Sequence, residues 1–110
     1  MKEKIEFIAT QFNAVVGDIE GNSKRIIDII LSNRSLTTTK VFIFPELALC
    51  GYSPEDLLFR EDFAQKINNA INEIENIVEN NEYLILGAPR YSKDYTKVGI
   101  VLSLLITKKL

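Results

Sequence analysis

The segment that most constrains the fold of this chain covers residues 41–51 and reads VFIFPELALCG. Its first four residues are apolar, with two aromatic and two β-branched side chains, a composition typical of a strand buried on both faces. Pro45 is expected to end this strand, because proline has no N–H group to donate to the sheet. The side chain of Glu46 is therefore predicted to lie just beyond the strand, where open α/β sheets carry their functional groups.

Glu46 is the candidate catalytic group of this segment. A carboxylate placed among Phe42, Phe44, Leu47 and Leu49 loses water, and this desolvation raises its pKa toward the range useful to a general base. The alternative is a solvated loop glutamate, because a carboxylate is rarely kept buried without a partner. Taken alone, the tripeptide FPE favours the solvated interpretation.

The composition is that of a single globular domain. The chain has 110 residues, of which 46% are hydrophobic and 25% charged, and its net charge is −2. Lysine and arginine are spread along the chain, which argues against a nucleic-acid surface or a membrane-attracting patch. The longest apolar stretch, residues 99–106, is far shorter than the roughly 20 residues that span a bilayer. With no secretory signal and a single cysteine, the chain is expected to be cytoplasmic.

Hydrophobic periodicity predicts an α/β fold with strands and helices in alternation. Alternating apolar residues over 4–12 predict a first, largely buried strand, and Asn22 is predicted to cap a helix whose apolar stripe reaches Leu31. The clearest helix is the second, because its apolar residues recur at steps of three and four. The remaining predicted elements are a strand at 40–45, the second helix at 63–78, and strands at 83–87 and 99–106.

The sequence also excludes several kinds of chemistry. It contains no histidine and one cysteine, which removes Ser-His-Asp and Cys-His catalysis and ordinary zinc sites. No glycine-rich phosphate-binding motif occurs, and no metal site is assigned. Cys50 is expected to be a structural apolar residue, because no neighbouring cation lowers its pKa. In the segment SPEDLL, residues 53–58, Ser53 is expected to cap a short helix, and Glu55 and Asp56 are expected to stabilise its first turn rather than to act in catalysis.

Two stretches of the chain resemble a known family. The string FPELALCGY, residues 44–52, running into SPEDLLFREDF, residues 53–63, resembles the first catalytic segment of the nitrilase superfamily. The continuation SPEDLLFR is similar to the glutaminase domains of glutamine-dependent NAD synthetases. Residues 5–26, IEFIATQFNAVVGDIEGNSKRI, resemble the opening strand, turn and first helix of that family. The resemblance covers residues 5 to about 91.

The resemblance implies a fold and a reaction. The family folds as an α-β-β-α sandwich, of which residues 1–110 would form an incomplete N-terminal portion, one half with about four strands and two main helices. Its chemistry uses a Glu general base, a Lys and a Cys nucleophile to hydrolyse an amide. Only the base maps onto this chain, at Glu46, and Tyr52 matches a position lining the glutamine pocket. The chain is therefore expected to be part of a glutaminase that supplies ammonia for NAD formation, and to be inactive alone.

Cofactors and partners follow from the same resemblance. No cofactor is expected in this chain, whereas ATP and Mg are expected in a separate synthetase domain. Glutamine is the expected substrate of the parent enzyme, and self-association or pairing with the rest of the domain is expected through uncovered sheet surfaces. Two alternatives stay open: part of another carbon–nitrogen hydrolase, such as an amidase, and a non-catalytic interaction module.

Overall fold

The computed structural model describes residues 4–45, 47–52, 60–91 and 98–108. Four strands form one sheet in the order β1-β2-β3-β4. Strands β1, β2 and β3 are parallel, and β4 runs antiparallel to β3. The predicted α/β class with four strands and two helices is confirmed. The elements in chain order are β1 (Ile5–Ala9), α1 (Ile19–Ser32), β2 (Thr39–Ile43), α2 (Glu61–Ile77), β3 (Glu82–Tyr91) and β4 (Val98–Ile106).

The hydrophobic core lies between one face of the sheet and the two helices. Each helix carries an apolar stripe at three- and four-residue spacing, and the sheet supplies every second side chain of its strands. In α2 the opposite, polar face is solvent-exposed. Neither helix of the described ranges is long and apolar enough to cross a membrane. The core includes Ile26 and Ile30 of α1, Ile67, Ile71 and Ile74 of α2, and Phe42, Leu84, Leu86 and Ile106 of the sheet.

The other face of the sheet is apolar and uncovered in the described chain. The strand register places Phe7 beside Val41 and Val41 beside Tyr83, so these alternate side chains form a row across the sheet. Phe7 is 68% exposed and Leu105 is 62% exposed. We call this surface the open sheet face; its large exposed side chains are Ile5, Phe7, Ile43, Tyr83 and Leu105.

The prediction of a largely buried first strand is wrong in this structure. β1 covers Ile5–Ala9 rather than residues 4–12, and four of its five residues are exposed. β1 pairs with β2 alone among the described strands. The alternation of Ile5, Phe7 and Ala9 is real, but it places these side chains on the face that no helix covers.

The start of α1 also differs from the prediction. The helix begins at Ile19, and the carboxylate of Asp18 accepts the N–H group of Gly21 at 3.1 Å. Asp18 is therefore the N-cap, and the prediction that Asn22 caps this helix is wrong. Asn22 lies inside the first turns of the helix and is fully buried. Leu31, predicted to belong to the buried stripe, is 49% exposed.

Strand β3 is longer than predicted, because it continues through Pro89 to Tyr91. Its pairing with β2 ends at Ile85, so beyond that residue β4 is its described neighbour. A proline is tolerated there because one side of the strand needs no N–H donor. The β3–β4 register shifts between Leu86 and Ala88, which marks an irregularity at this point.

The amino-terminal edge of the sheet is held by ion pairs. The guanidinium of Arg34 donates to both carboxylate oxygens of the buried Glu82 at 2.8 Å and to the carbonyl of Ile77 at 2.9 Å. This arrangement ties the α1–β2 loop to the α2–β3 connection, and the bonds to Glu82 raise the pKa of Arg34. Lys40 pairs with Glu6 at 2.8 Å across β1 and β2. These charged groups serve structure and lie at the edge opposite the carboxyl ends of β1 and β2.

Candidate functional site

The candidate site lies at the carboxyl ends of β1 and β2. β2 ends at Ile43, whose carbonyl accepts the N–H and hydroxyl groups of Thr10 at 2.9 and 3.0 Å. The chain then passes Phe44 and Pro45 and enters a turn at residues 47–50. Glu46 falls between these segments in sequence and lies outside the described residues, so its burial and pKa stay predictions.

The turn that follows Glu46 is buried and strained. Leu47 has a φ of 56°, the left-handed region, which is costly for a residue with a branched side chain. Its side chain is fully buried, and its carbonyl accepts the N–H groups of Cys50 at 3.2 Å and Gly51 at 2.8 Å. The carbonyl of Pro45 accepts the N–H group of Ala48 at 3.2 Å. Strain of this kind persists only where surrounding contacts fix the backbone, and it is concentrated at functional sites.

Gly51 allows this turn to approach the β1–α1 loop closely. Its φ is 80°, and a Cβ atom at this position would lie 2.8 Å from the Cα and 2.9 Å from the nitrogen of Val16. Glycine alone fits both requirements without displacement of the backbone. A hydrogen bond from the N–H group of Gly17 to the carbonyl of Cys50, at 2.9 Å, joins the same two segments.

Asn22 is the second link between these segments. Its amide nitrogen donates to the carbonyl of Val15 at 2.9 Å and to the carbonyl of Leu49 at 3.0 Å. Its amide oxygen accepts the N–H group of Val15 at 2.9 Å and a guanidinium N–H group of Arg25. Both donors and both acceptor positions of the amide are therefore used, in a fully buried position.

Sequence reasoning missed this role of Asn22, although a signal was present. Asn22 follows Ile19 by three residues and precedes Ile26 by four, so the helical period places it on the buried face. A polar amide on a buried face needs partners from outside its helix.

Aromatic and cationic side chains complete the β1–α1 loop. The rings of Phe12 and Phe44 meet edge to face, with centroids 5.8 Å apart. The guanidinium carbon of Arg25 lies 5.1 Å from the centroid of Phe12, and Arg25 also donates to the carbonyl of Asn13 at 3.2 Å. The loop is thereby packed on the residue that follows β2.

Cys50 is buried and unreactive in this environment. It has no exposed surface, and burial raises the pKa of its thiol to about 11. A thiol with this pKa is almost wholly protonated at neutral pH, whereas the nucleophile is the thiolate. This burial agrees with the expected structural role, and Cys50 is the one cysteine in the sequence.

Tyr52 follows the turn and points outward. It is 78% exposed, and Val15 and Val16 of the adjoining loop are about half exposed. The use of Tyr52 in binding substrate stays a prediction. The predicted capping residues of the SPEDLL segment lie outside the described residues.

Two described acids near this edge have structural partners. Asp18 caps α1, and Asp62 pairs with Arg60 at 3.2 Å. Within residues 4–45, 47–52, 60–91 and 98–108, no three acid or cysteine side chains are grouped so that they could hold a metal ion. A cavity of about 220 Å³ beside Gly17 is lined by Arg60, Asp62, Phe63 and Lys66.

Comparison with curated proteins gives relatives with one shared description. The chain is 33% identical to the glutamine-dependent NAD(+) synthetase of Aquifex aeolicus over 93 residues, which is 83% of this chain and 16% of that protein. It is 42% identical to the glutamine-dependent NAD(+) synthetase of Xylella fastidiosa strain Temecula1 over 74 residues, 67% of this chain and 14% of that protein. No family model matches the chain. The chain thus spans about a sixth of the length of these relatives.

Solved structures share the fold. A glutamine-dependent NAD(+) synthetase from Cytophaga hutchinsonii matches with a TM-score of 0.78 and 22% identity, over 96% of this chain and 17% of that one. An amidase from Nesterenkonia sp. matches with a TM-score of 0.65 and 19% identity, over 80% of this chain and 33% of that one. The sheet, its two helices and their order therefore belong to a fold that synthetases and amidases share.

Proposed function

The chain is related to the nitrilase-like domain of glutamine-dependent NAD(+) synthetases, and on this basis we propose that it carries the general-base segment of a glutamine-hydrolysing domain. In this role Glu46 takes the proton of an attacking nucleophile, and the ammonia released from glutamine supplies NAD formation. ATP and Mg belong, in this proposal, to a synthetase domain outside this chain.

The observation that carries the proposal is the geometry on either side of Glu46. The residue follows a parallel strand at its carboxyl end, and the turn after it holds Leu47 in a strained, fully buried conformation. A solvated loop glutamate after a core strand needs no such turn. A base, in contrast, needs a fixed position relative to its substrate, within about 3 Å of the proton that it removes.

We expect a cysteine nucleophile to come from outside residues 1–110. Cys50 is the one cysteine of the sequence, and its buried thiol has a pKa of about 11. A thiolate at this site would be rare at neutral pH. We therefore expect residues 1–110 alone to show no hydrolysis of glutamine, and Glu46→Gln to change nothing measurable in the isolated chain.

Tyr52 is proposed to contact the substrate from the same edge of the sheet. It lies one residue after Gly51, whose backbone is packed against Val16, and its side chain is 78% exposed. An exposed aromatic ring on an anchored backbone can cover a ligand at small entropic cost, because it has only two side-chain dihedral angles to fix.

The second candidate is another carbon–nitrogen hydrolase. It is favoured by one observation, which is that an amidase shares the fold at a TM-score of 0.65. The curated relatives favour glutamine, because each of the two compared above is described as a glutamine-dependent NAD(+) synthetase. A non-catalytic interaction module is the third candidate, and the open sheet face is its support.

A hybrid enzyme tests the proposal. The segment of the Aquifex aeolicus relative that matches this chain is replaced by this chain, and NAD formation is measured with glutamine and, separately, with ammonia. We expect NAD from both nitrogen sources. A folded hybrid that uses ammonia and not glutamine would show that this chain cannot serve a glutaminase, and the interaction module would then be preferred.

A further inference from the structure

The side chain of Asn22 makes contacts that the helix itself does not need. The N-terminus of α1 is already capped by Asp18. Asparagine is a poorer helix former than alanine at an interior position, because its amide competes for backbone groups. Asn22 instead stabilises the fold through its bonds to Val15, 7 residues before it, and to Leu49, 27 residues after it.

These bonds form a clamp with two other contacts. The clamp consists of the amide of Asn22 on Val15 and Leu49, the N–H group of Gly17 on Cys50, and the close approach of Gly51 to the backbone of Val16. Its effect is to fix the turn at residues 47–51 on the β1–α1 loop. Asn22 is the member of the clamp that acts through a side chain, and Arg25 holds it by donating to its oxygen.

The clamp fixes the backbone of the residue that follows Glu46 in the chain. Leu47, the next residue, has a φ of 56°, and its carbonyl accepts two N–H groups from inside the turn. A left-handed conformation at leucine is unfavourable and is kept only when neighbouring contacts determine it. If the turn were released from the loop, Leu47 would relax to an ordinary backbone conformation.

We infer that Asn22 is a positioning residue for the turn that follows the proposed base: its buried amide holds residues 47–51 against the β1–α1 loop. The inference rests on the proposed function for the importance of Glu46. Its physical content is a coupling between residue 22 and residues 45–52, and this coupling can be measured without any assay of activity.

Asn81 provides a matched control. Its amide nitrogen also donates to two backbone carbonyls, those of Ser35 at 2.7 Å and Thr38 at 2.9 Å. It joins two loops in the same way, but at the opposite, amino-terminal edge of the sheet. A residue that only stabilises the fold should behave as Asn81 does.

The test is hydrogen exchange of the full chain, read by mass spectrometry, in Asn22→Ala and Asn81→Ala. Loss of the amide leaves the buried carbonyl of Leu49 without its side-chain donor, so we expect Asn22→Ala to speed exchange about tenfold or more in residues 13–18 and 45–52. This increase should exceed any increase in α2 and β3. Asn81→Ala should speed exchange around residues 33–39 and leave residues 45–52 as they were.

A spectroscopic signature of Glu46 completes the test. In isotope-labelled protein, the amide and carboxyl resonances of Glu46 should move in Asn22→Ala and keep their positions in Asn81→Ala. If Asn22→Ala does not fold, Arg25→Gln serves in its place. That variant removes one of the two donors to the Asn22 oxygen and leaves the bond to Leu49, so the same segments should show a smaller effect.

Two outcomes would overturn the inference. One is an Asn22→Ala protein in which residues 45–52 exchange no faster than α2, and the other is a movement of the Glu46 resonances that Asn81→Ala reproduces. Neither readout depends on hydrolysis of glutamine. A failed hybrid enzyme with a confirmed coupling would therefore count against the proposed function and not against the clamp.

Discussion

Burial decides the chemistry of the single cysteine. Cysteine is a common catalytic nucleophile, and Cys50 lies four positions after the proposed base in the sequence. Its side chain, however, has no exposed surface. Its neighbours Ala48 and Leu49 are buried as well. Desolvation penalises the thiolate, which is why the pKa of the thiol rises to about 11.

The raised pKa of Cys50 predicts a loss of stability in alkali. Burial raises the pKa of the thiol from its ordinary value of 9.0 to about 11 in the folded chain, so between these pH values the unfolded state binds fewer protons and gains stability. The contribution is complete below about pH 9 and lost as the pH rises through 11. We expect urea unfolding to show about 2 kcal/mol more loss between pH 8 and pH 10.5 in the native chain than in Cys50→Ala. Parallel losses in the two proteins would show that the thiol is accessible to water.

The helices were predicted well because their signal is local. The apolar residues of α2 recur along one continuous segment, and the helix was placed within two residues of its observed start and one of its end. The start of α1 was misplaced because Asp18 and Asn22 are both good capping residues. The side chain of Asn22 instead donates to the carbonyl of Leu49, a tertiary partner that sequence periodicity does not reveal.

The cap of α1 makes a separate prediction. Asp18→Ala removes the acceptor for the N–H group of Gly21, so it should lower the free energy of unfolding by about 1 kcal/mol. The matched control is Asp28→Ala, in which the exposed carboxylate lies midway along the same helix. The control should change stability by less than about 0.5 kcal/mol, as exposed substitutions usually do. Equal effects in urea unfolding would mean that charge, rather than capping, is what Asp18 contributes.

The end of the strand before Glu46 could be predicted, and the contacts of the turn after it could not. Pro45 marks the end of the strand in the sequence itself, because proline cannot continue the ladder. The clamp joins the turn to residues 27, 33 and 35 positions earlier and includes the backbone of Val16, which no side-chain pattern encodes. The prediction that β1 is buried failed for a related reason. Alternation of apolar and polar residues identifies the two faces of a strand but not whether each face is covered.

At the scale of the whole molecule, the open sheet face is the feature expected to cause self-association. Its side chains are large and apolar, and they lie on one continuous surface set by the strand register. Exposed apolar surfaces of this kind mark sites of association. We therefore expect the isolated chain to self-associate, through this face or through the free edge of β1.

Sedimentation over a concentration series tests this expectation. Phe7→Lys places a charge on the open sheet face and should weaken self-association by roughly 10- to 100-fold, the equivalent of one buried aromatic side chain. Leu36→Lys is the matched control, because Leu36 is 99% exposed in the α1–β2 loop and away from that face. The control should associate as the native chain does. A native chain that stays monomeric at every concentration would mean that the face is covered.

The role of Glu46 in the hybrid enzyme decides whether this chain supplies a catalytic base. Glu46→Gln keeps the size of the side chain and removes its ability to take a proton, so glutamine-dependent NAD formation should fall by about 100-fold or more. Ammonia-dependent formation should stay unchanged, because it bypasses the hydrolysis. Glu73→Gln, an exposed substitution on α2, should leave both rates unchanged. If Glu46→Gln keeps the glutamine-dependent rate, or lowers both rates alike, then Glu46 is not the base and the chain has another role.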